Sequence, residues 1–153
     1  MIEFDIELAP IPMKDLHSKD VTVNWKMYNG FEANKTFWTD SNSLAMIRRE
    51  IRELPTPDAT IAGNYYPITS AIAMRDHKEG SNLQVTVMND RTQGGAADLQ
   101  NATIELMQHR RGFGDDGKGN WEALNETDKD DIGIRVNARY FMQIFDLKKG
   151  KSL

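Results

Sequence analysis

The sequence contains no cysteine, which removes disulfide staples and thiolate metal centres and leaves the redox compartment open. It has no apolar run approaching the ~20 residues a helix needs to cross a bilayer, so no membrane span is expected. Its first residues, Met1-Ile2-Glu3-Phe4-Asp5, lack the basic-then-apolar pattern of a signal peptide and start directly in strand-like alternation. Basic charge is not in surplus either: 19 Lys and Arg stand against 23 Asp and Glu, a formal net charge of −4. That balance argues against a nucleic-acid or anionic-membrane partner, which would select a basic stripe. The densest basic stretch, Arg48, Arg49 and Arg52, is interleaved with Glu50 and Glu53 and reads as a solvated face. Apolar residues make up 39% of the 153, a modest share, but three Trp, four Tyr and six Phe supply enough bulk for a core. These numbers fit a single domain over residues 1–153, or an incomplete one that buries further surface against a partner.

What is present has a period of two. Ile2, Phe4, Ile6 and Leu8 alternate with Glu3, Asp5 and Glu7 until Pro10 and Pro12. Residues 21–28 alternate again and close on Asn29-Gly30, a strong turn dipeptide, which predicts a hairpin with the aromatic-rich residues 31–39. Residues 43–54 are ambiguous: Leu44, Ile47 and Ile51 sit at helical spacing, so the pattern leaves helix and strand open, and Pro55 and Pro57 end the segment. Residues 68–75 and 83–88 read as strands, Gly94-Gly95 as a break, and residues 103–109 as another strand. A long glycine-spaced loop follows at 112–131, then one long strand or a bent pair over 132–147, and residues 148–153 read as a tail. Short strands punctuated by turns predict an all-β fold, a sandwich or barrel, rather than a βαβ sheet.

Elementary site chemistry is thin. His17, His77 and His109 are far apart and in no ligand spacing, so no metal site and no bound cofactor are expected within this segment. No GxSxG elbow and no cysteine nucleophile are present. Asp115 and Asp116 are adjacent, so in an extended loop their carboxylates diverge rather than face one substrate. The run Gly112-Phe113-Gly114-Asp115-Asp116-Gly117-Lys118-Gly119 lacks the spacing of a phosphate loop. No catalytic residue is assigned.

The informative signal is a series of short motifs in fixed order. Phe37-Trp38-Thr39-Asp40-Ser41-Asn42 precedes Ala62-Gly63-Asn64-Tyr65-Tyr66-Pro67-Ile68-Thr69, then Asn89-Asp90-Arg91-Thr92-Gln93-Gly94-Gly95. Ile104-Glu105-Leu106-Met107-Gln108-His109-Arg110-Arg111, Asp115-Asp116-Gly117-Lys118-Gly119 and Ala123-Leu124-Asn125-Glu126 complete it. Together these resemble the C-terminal β-domain of glycoside hydrolase family 38, the class II α-mannosidases, most closely the lysosomal type. The resemblance covers about residues 31–126. It implies an antiparallel β-sandwich of the galactose-mutarotase-like, or supersandwich, type, and it makes residues 43–52 extended rather than helical.

The resemblance further implies part of a retaining, zinc-dependent α-mannosidase acting on terminal α-mannosidic linkages of glycoprotein glycans in the lysosome, vacuole or secretory route. Zinc, nucleophile and general acid would belong to the N-terminal catalytic barrel and middle domains of the whole enzyme. Those domains and mannose-containing glycans would be this segment's partners, and the isolated segment would be inactive. By the same resemblance, the loop at 115–119 reaches toward substrate through the backbone of Lys118 and Gly119, with Lys118 standing where the family has arginine. Asp115, Asp116, Arg110 and Arg111 would support that loop; the two arginines, at a strand end, are natural partners for these carboxylates or another one nearby. Three N-x-[ST] sequons, at Asn34, Asn101 and Asn125, fit a secretory route. The competing expectation is a freestanding, non-catalytic carbohydrate-binding or interaction sandwich.

Overall fold

Two antiparallel sheets account for nearly all regular structure in the computed structural model, which describes every residue except Met13, Asp116, Asn120, Gly150 and Leu153, with Lys151 and Ser152 described by backbone alone. In chain order the elements are β1 (Ile2–Leu8), β2 (Lys19–Lys26), β3 (Thr36–Ser41), β4 (Ala45–Glu50), α1 (Pro57–Ala62), β5 (Tyr66–Ile68), β6 (Ala71–Arg75), β7 (Leu83–Asn89), β8 (Gln93–Ala97), β9 (Thr103–Arg111), β10 (Val136–Asp146) and β11 (Lys151–Ser152). The larger sheet runs β1-β10-β7-β6-β3-β4, with β11 also on β10; the smaller runs β2-β9-β8-β5. The fold is an antiparallel β-sandwich.

Alternation aims the core residues of each sheet at the other. Phe37, Ile72, Val87 and Tyr140 from the large sheet meet Trp25, Ile104 and Leu106 from the small one. Trp25 is the aromatic hub, edge-on to Tyr140 at 4.9 Å and to Phe4 at 6.0 Å between ring centroids. A polar tie crosses the core as well: Gln93 Nε2 on β8 donates to Tyr140 Oη (2.7 Å) and to the Met107 carbonyl (2.9 Å).

The segment is extended over β4, residues 45–50, paired along β3, as the family pattern implied, but Ser43 and Leu44 lie in the turn before it. Other expectations are corrected. Asn29-Gly30 does turn, with φ of 60° and 74°, but it joins no hairpin, because β2 and β3 lie in different sheets. The chain is carried across by the far end of the sandwich: Glu32 N donates to Asp76 Oδ1 (2.9 Å) and the Glu32 carbonyl accepts from His77 N (2.8 Å). The single strand expected over 68–75 is two strands, β5 and β6, in opposite sheets. At the crossing, Asp40 Oδ1 accepts from the backbone N–H of Thr69 (2.9 Å), Ser70 (3.2 Å) and Ala71 (3.4 Å).

Pro55 and Pro57 do more than end β4. Pro57 opens α1 behind the N-cap Thr56, whose Oγ1 accepts from Ala59 N (3.2 Å), and Asp58 sits in the first turn. Gly94 and Gly95 are not a break but lie inside β8. The expected tail contains β11, registered at Phe145↔Ser152 and Asp146↔Lys151. The arginine stretch is only partly a solvated face. Arg48 pairs with Glu50, whereas Arg49 lies 4.3 Å over the Tyr66 ring and Arg52 Nη2 donates to the Gly63 carbonyl (2.9 Å). Tyr66 thus packs within its own domain, against Arg49 and Phe37.

Candidate functional site

The glycine-spaced loop leaves the C-terminal end of β9, an inner strand of the small sheet between β2 and β8. It is held at its root by Gly112 N donating to the Leu124 carbonyl (2.8 Å) and Phe113 N donating to Ser18 Oγ (2.9 Å). Between these anchors Asp115 Oδ2 accepts from Gly117 N (3.1 Å), and Gly117 takes a φ of 69°, a conformation glycine adopts without strain. A Cβ placed on Gly114, Gly117 or Gly119 would meet nothing within 4 Å, so this stretch of backbone is open to approach. The loop, with Asp20, Arg110 and Glu122, encloses a groove of about 600 Å³ that includes Asp115, Lys118 and Gly119. Phe113 and Trp121 project from the loop, 51% and 82% exposed.

The two arginines at the end of β9 take different partners. Arg110 pairs in bidentate fashion with Asp20, which lies directly opposite it in the β2–β9 register; Nη2 to Oδ2 is 3.0 Å. Among the described residues Arg110 therefore takes a neighbouring carboxylate, one of the partners foreseen for it. Arg111 turns the other way, donating from Nη1 to the Ile11 carbonyl (2.6 Å), and its Nε is buried without a hydrogen-bond partner among the described residues. Arg111 thereby ties the segment after β1 to the end of β9. Asp116 lies outside the described residues.

Asp20, Tyr65 and Glu105 had no motif to single them out as a group, yet they share the outer side of the small sheet. Tyr65 Oη donates to Glu105 Oε1. Burial pushes the Glu105 carboxyl above its ordinary value of 4.5. The sign follows directly: the folded chain holds this proton more tightly than the unfolded chain, so the associated stability is present below pH 4.5 and is lost as pH rises through the folded value. Glu105→Gln removes that dependence. The melting temperature of the wild type relative to Glu105→Gln should therefore fall between pH 4.5 and pH 7.5, measured by circular dichroism; a constant difference would refute it.

The histidines have structural surroundings. His77 stacks on Trp38, His109 Nε2 contacts the Ile134 carbonyl (3.1 Å), and His17 Nδ1 contacts the Asp15 carbonyl (2.6 Å). Among the described residues no group of three or more His, Asp or Glu is placed to hold a metal ion. No helix of the described residues is long and apolar enough to cross a membrane. The sequon residues Asn34, Asn101 and Asn125 are all exposed.

Comparison with known proteins adds the biological context. The family described as "Glycosyl hydrolases family 38 C-terminal domain" matches residues 2–118. Lysosomal alpha-mannosidase of Felis catus is 37% identical over 145 residues, covering 92% of this chain and 13% of that protein. Its Homo sapiens counterpart is 36% identical over 130 residues, covering 82% and 12% respectively. An alpha-mannosidase of Canavalia ensiformis is 34% identical over 151 residues, covering 93% and 15%. The chain thus spans only a small fraction of the length of the relatives it matches.

Proposed function

The chain belongs to the family of glycosyl hydrolase family 38 C-terminal domains, and from that premise we propose that it is a β-sandwich segment of a retaining, zinc-dependent α-mannosidase that trims terminal α-mannose from glycoprotein glycans. The observation that carries this reading is identity of 34–37% to alpha-mannosidases over more than nine-tenths of the chain. Lysosomal relatives support a lysosomal or secretory-route location.

A retaining glycosidase works with two carboxyl groups about 5 Å apart, one as nucleophile and one as acid and base. The chemistry of this chain favours a supporting role instead. Asp20 is taken by Arg110 and Glu105 by Tyr65, so neither is set against a partner carboxyl across a sugar. The described residues offer no donor set that fits zinc. When bound elsewhere in the enzyme, zinc would orient sugar hydroxyls and stabilise charge. This segment would scaffold the catalytic and middle domains, and the loop at 115–119 would present open backbone at Lys118 and Gly119 to the substrate.

In the intact enzyme, replacing residues 114–119 by a short turn should raise KM for an aryl α-mannoside about tenfold, the scale of one or two lost hydrogen bonds. Lys118→Ala should change KM much less, because the proposed contact is through the backbone. If loop replacement leaves both kcat and KM unchanged at an unaltered melting temperature, the loop does not reach substrate.

A further inference from the structure

The β2–β9 pairing contains a bulge whose consequence extends beyond the loop. Val21 pairs with His109 and Thr22 with Met107, so Gln108 is an extra residue on β9. Gln108 Nε2 points inward to the Ile6 carbonyl (3.1 Å). The insertion shifts the parity of the strand by one, so Met107 and Arg110, three residues apart, both open onto the outer face of the small sheet. There they line a second groove of about 490 Å³ with Thr22, Tyr65 and Ile61, walled on one side by α1. Its boundary with the loop groove is the Asp20–Arg110 pair, which lines both.

The composition of this groove selects its ligand. Asp20 is matched by Arg110, and Asp58 lies in the first turn of α1, where the helix dipole complements it. Fixed charge is therefore close to compensated, which disfavours a strongly ionic ligand. Met107, Ile61, Ala62 and the Tyr65 ring offer an apolar floor, while the carboxylate and guanidinium edges offer paired acceptors and donors. An apolar floor beside a bidentate polar edge matches a sugar ring, with its C–H face and its rim of hydroxyls. We propose that this face of the small sheet is a non-catalytic binding groove for a neutral α-mannosyl oligosaccharide, continuous with the loop groove across the Asp20–Arg110 pair. The choice of mannose rests on the function proposed above; the groove and its preference for a neutral polyol do not.

The test uses the intact polypeptide that carries this chain, labelled with ε-¹³C-methyl methionine, titrated with a thio-linked α-mannotriose, whose sulfur linkages resist the hydrolysis proposed above. The Met107 methyl should shift saturably while that of the fully buried Met74 stays in place. Arg110→Gln should weaken binding about tenfold by removing the charged hydrogen-bonding edge. Ile61→Trp, at a position 50% exposed, should weaken it comparably by filling the groove while leaving the Asp20–Arg110 pair intact. A Met107 methyl that does not move, or that titrates identically in both variants, overturns the proposal. The two readings fail separately. An unchanged KM after loop replacement with a responsive Met107 methyl sinks the loop contact alone, and a silent methyl with a raised KM sinks the groove alone.

Discussion

Asp40→Ala should cost the chain about 3–5 kcal/mol of stability, the range expected when several buried donors lose a charged acceptor. The side chain is 4% exposed and closes two structures at once. Its Oδ2 accepts from Ser43 N (2.8 Å) in the turn between β3 and β4. Its Oδ1 gathers the three successive N–H groups at residues 69–71, where the chain passes from one sheet to the other. Removing the carboxylate takes this acceptor from four N–H groups, three of which, at Ser43, Thr69 and Ser70, lie outside the strands. Asp40→Asn separates the roles. It keeps an acceptor for the crossing but turns an amide donor toward Ser43 N, and should cost about 1–3 kcal/mol.

The same carboxylate sets an acid limit. Burial alone would raise its pKa, but the four backbone donors outweigh that and hold it below its ordinary 3.8. A depressed carboxyl contributes stability that is fully present above pH 3.8 and is lost as pH falls through the lower folded value. The stability gap between wild type and Asp40→Asn should therefore be constant from pH 7 to pH 5 and narrow below pH 3.8. Urea unfolding at pH 7, 5 and 3 reads this directly, and a gap that widens toward acid would reverse the assignment. An acidic lumen near pH 5 would leave the clamp intact.

How far the fold was legible follows from which forces are local. Strands such as β1 and β7 announce themselves through alternation, because a period of two is all that a half-buried strand requires. The crossings between sheets do not. Asn29-Gly30 has the local conformation of a hairpin turn, and only the contacts from Asp76 and His77, over 40 residues away, send the chain to the other sheet. The Pro55 and Pro57 pair reads locally as a stop, while the N-cap Thr56 makes it a helix start. The loop was visible from its glycines. The outer groove was not, since it depends on Asp20 meeting Arg110 across 90 residues and on one extra residue in β9. The clamp residues Asp40 and Asn64 both fall within the ordered motifs, and both side chains bond backbone groups. Asn64 Oδ1 accepts from Arg52 N (2.9 Å) while Nδ2 donates to the carbonyls of Arg52 (2.8 Å) and Thr60 (2.6 Å).

Gly94 and Gly95 should respond to the same substitution very differently, although they are neighbours in one strand. A Cβ on Gly95 would lie 2.4 Å from Leu106 Cδ2, 2.8 Å from Ile68 Cγ1 and 3.1 Å from the Glu105 carbonyl. Leu106 and Ile68 are fully buried, so neither can swing into solvent. On Gly94 the nearest atom is Met107 Sδ at 2.9 Å, the far part of a flexible, partly exposed chain that can yield. Gly95→Ala should therefore cost about 2–3 kcal/mol by overpacking, and Gly94→Ala less than about 1 kcal/mol. Leu106→Ala alone should cost about 2–5 kcal/mol by leaving a cavity. In the double variant Gly95→Ala with Leu106→Ala the new methyl enters the space the leucine vacates, so the two costs should sum to clearly more than the measured total. Additive costs would mean that the glycine is required by the backbone and not by the leucine facing it. Subadditive costs would establish that β8 carries a glycine at position 95 so that Leu106 can pack against it, a packing device at a site where the sequence alone reads as a break.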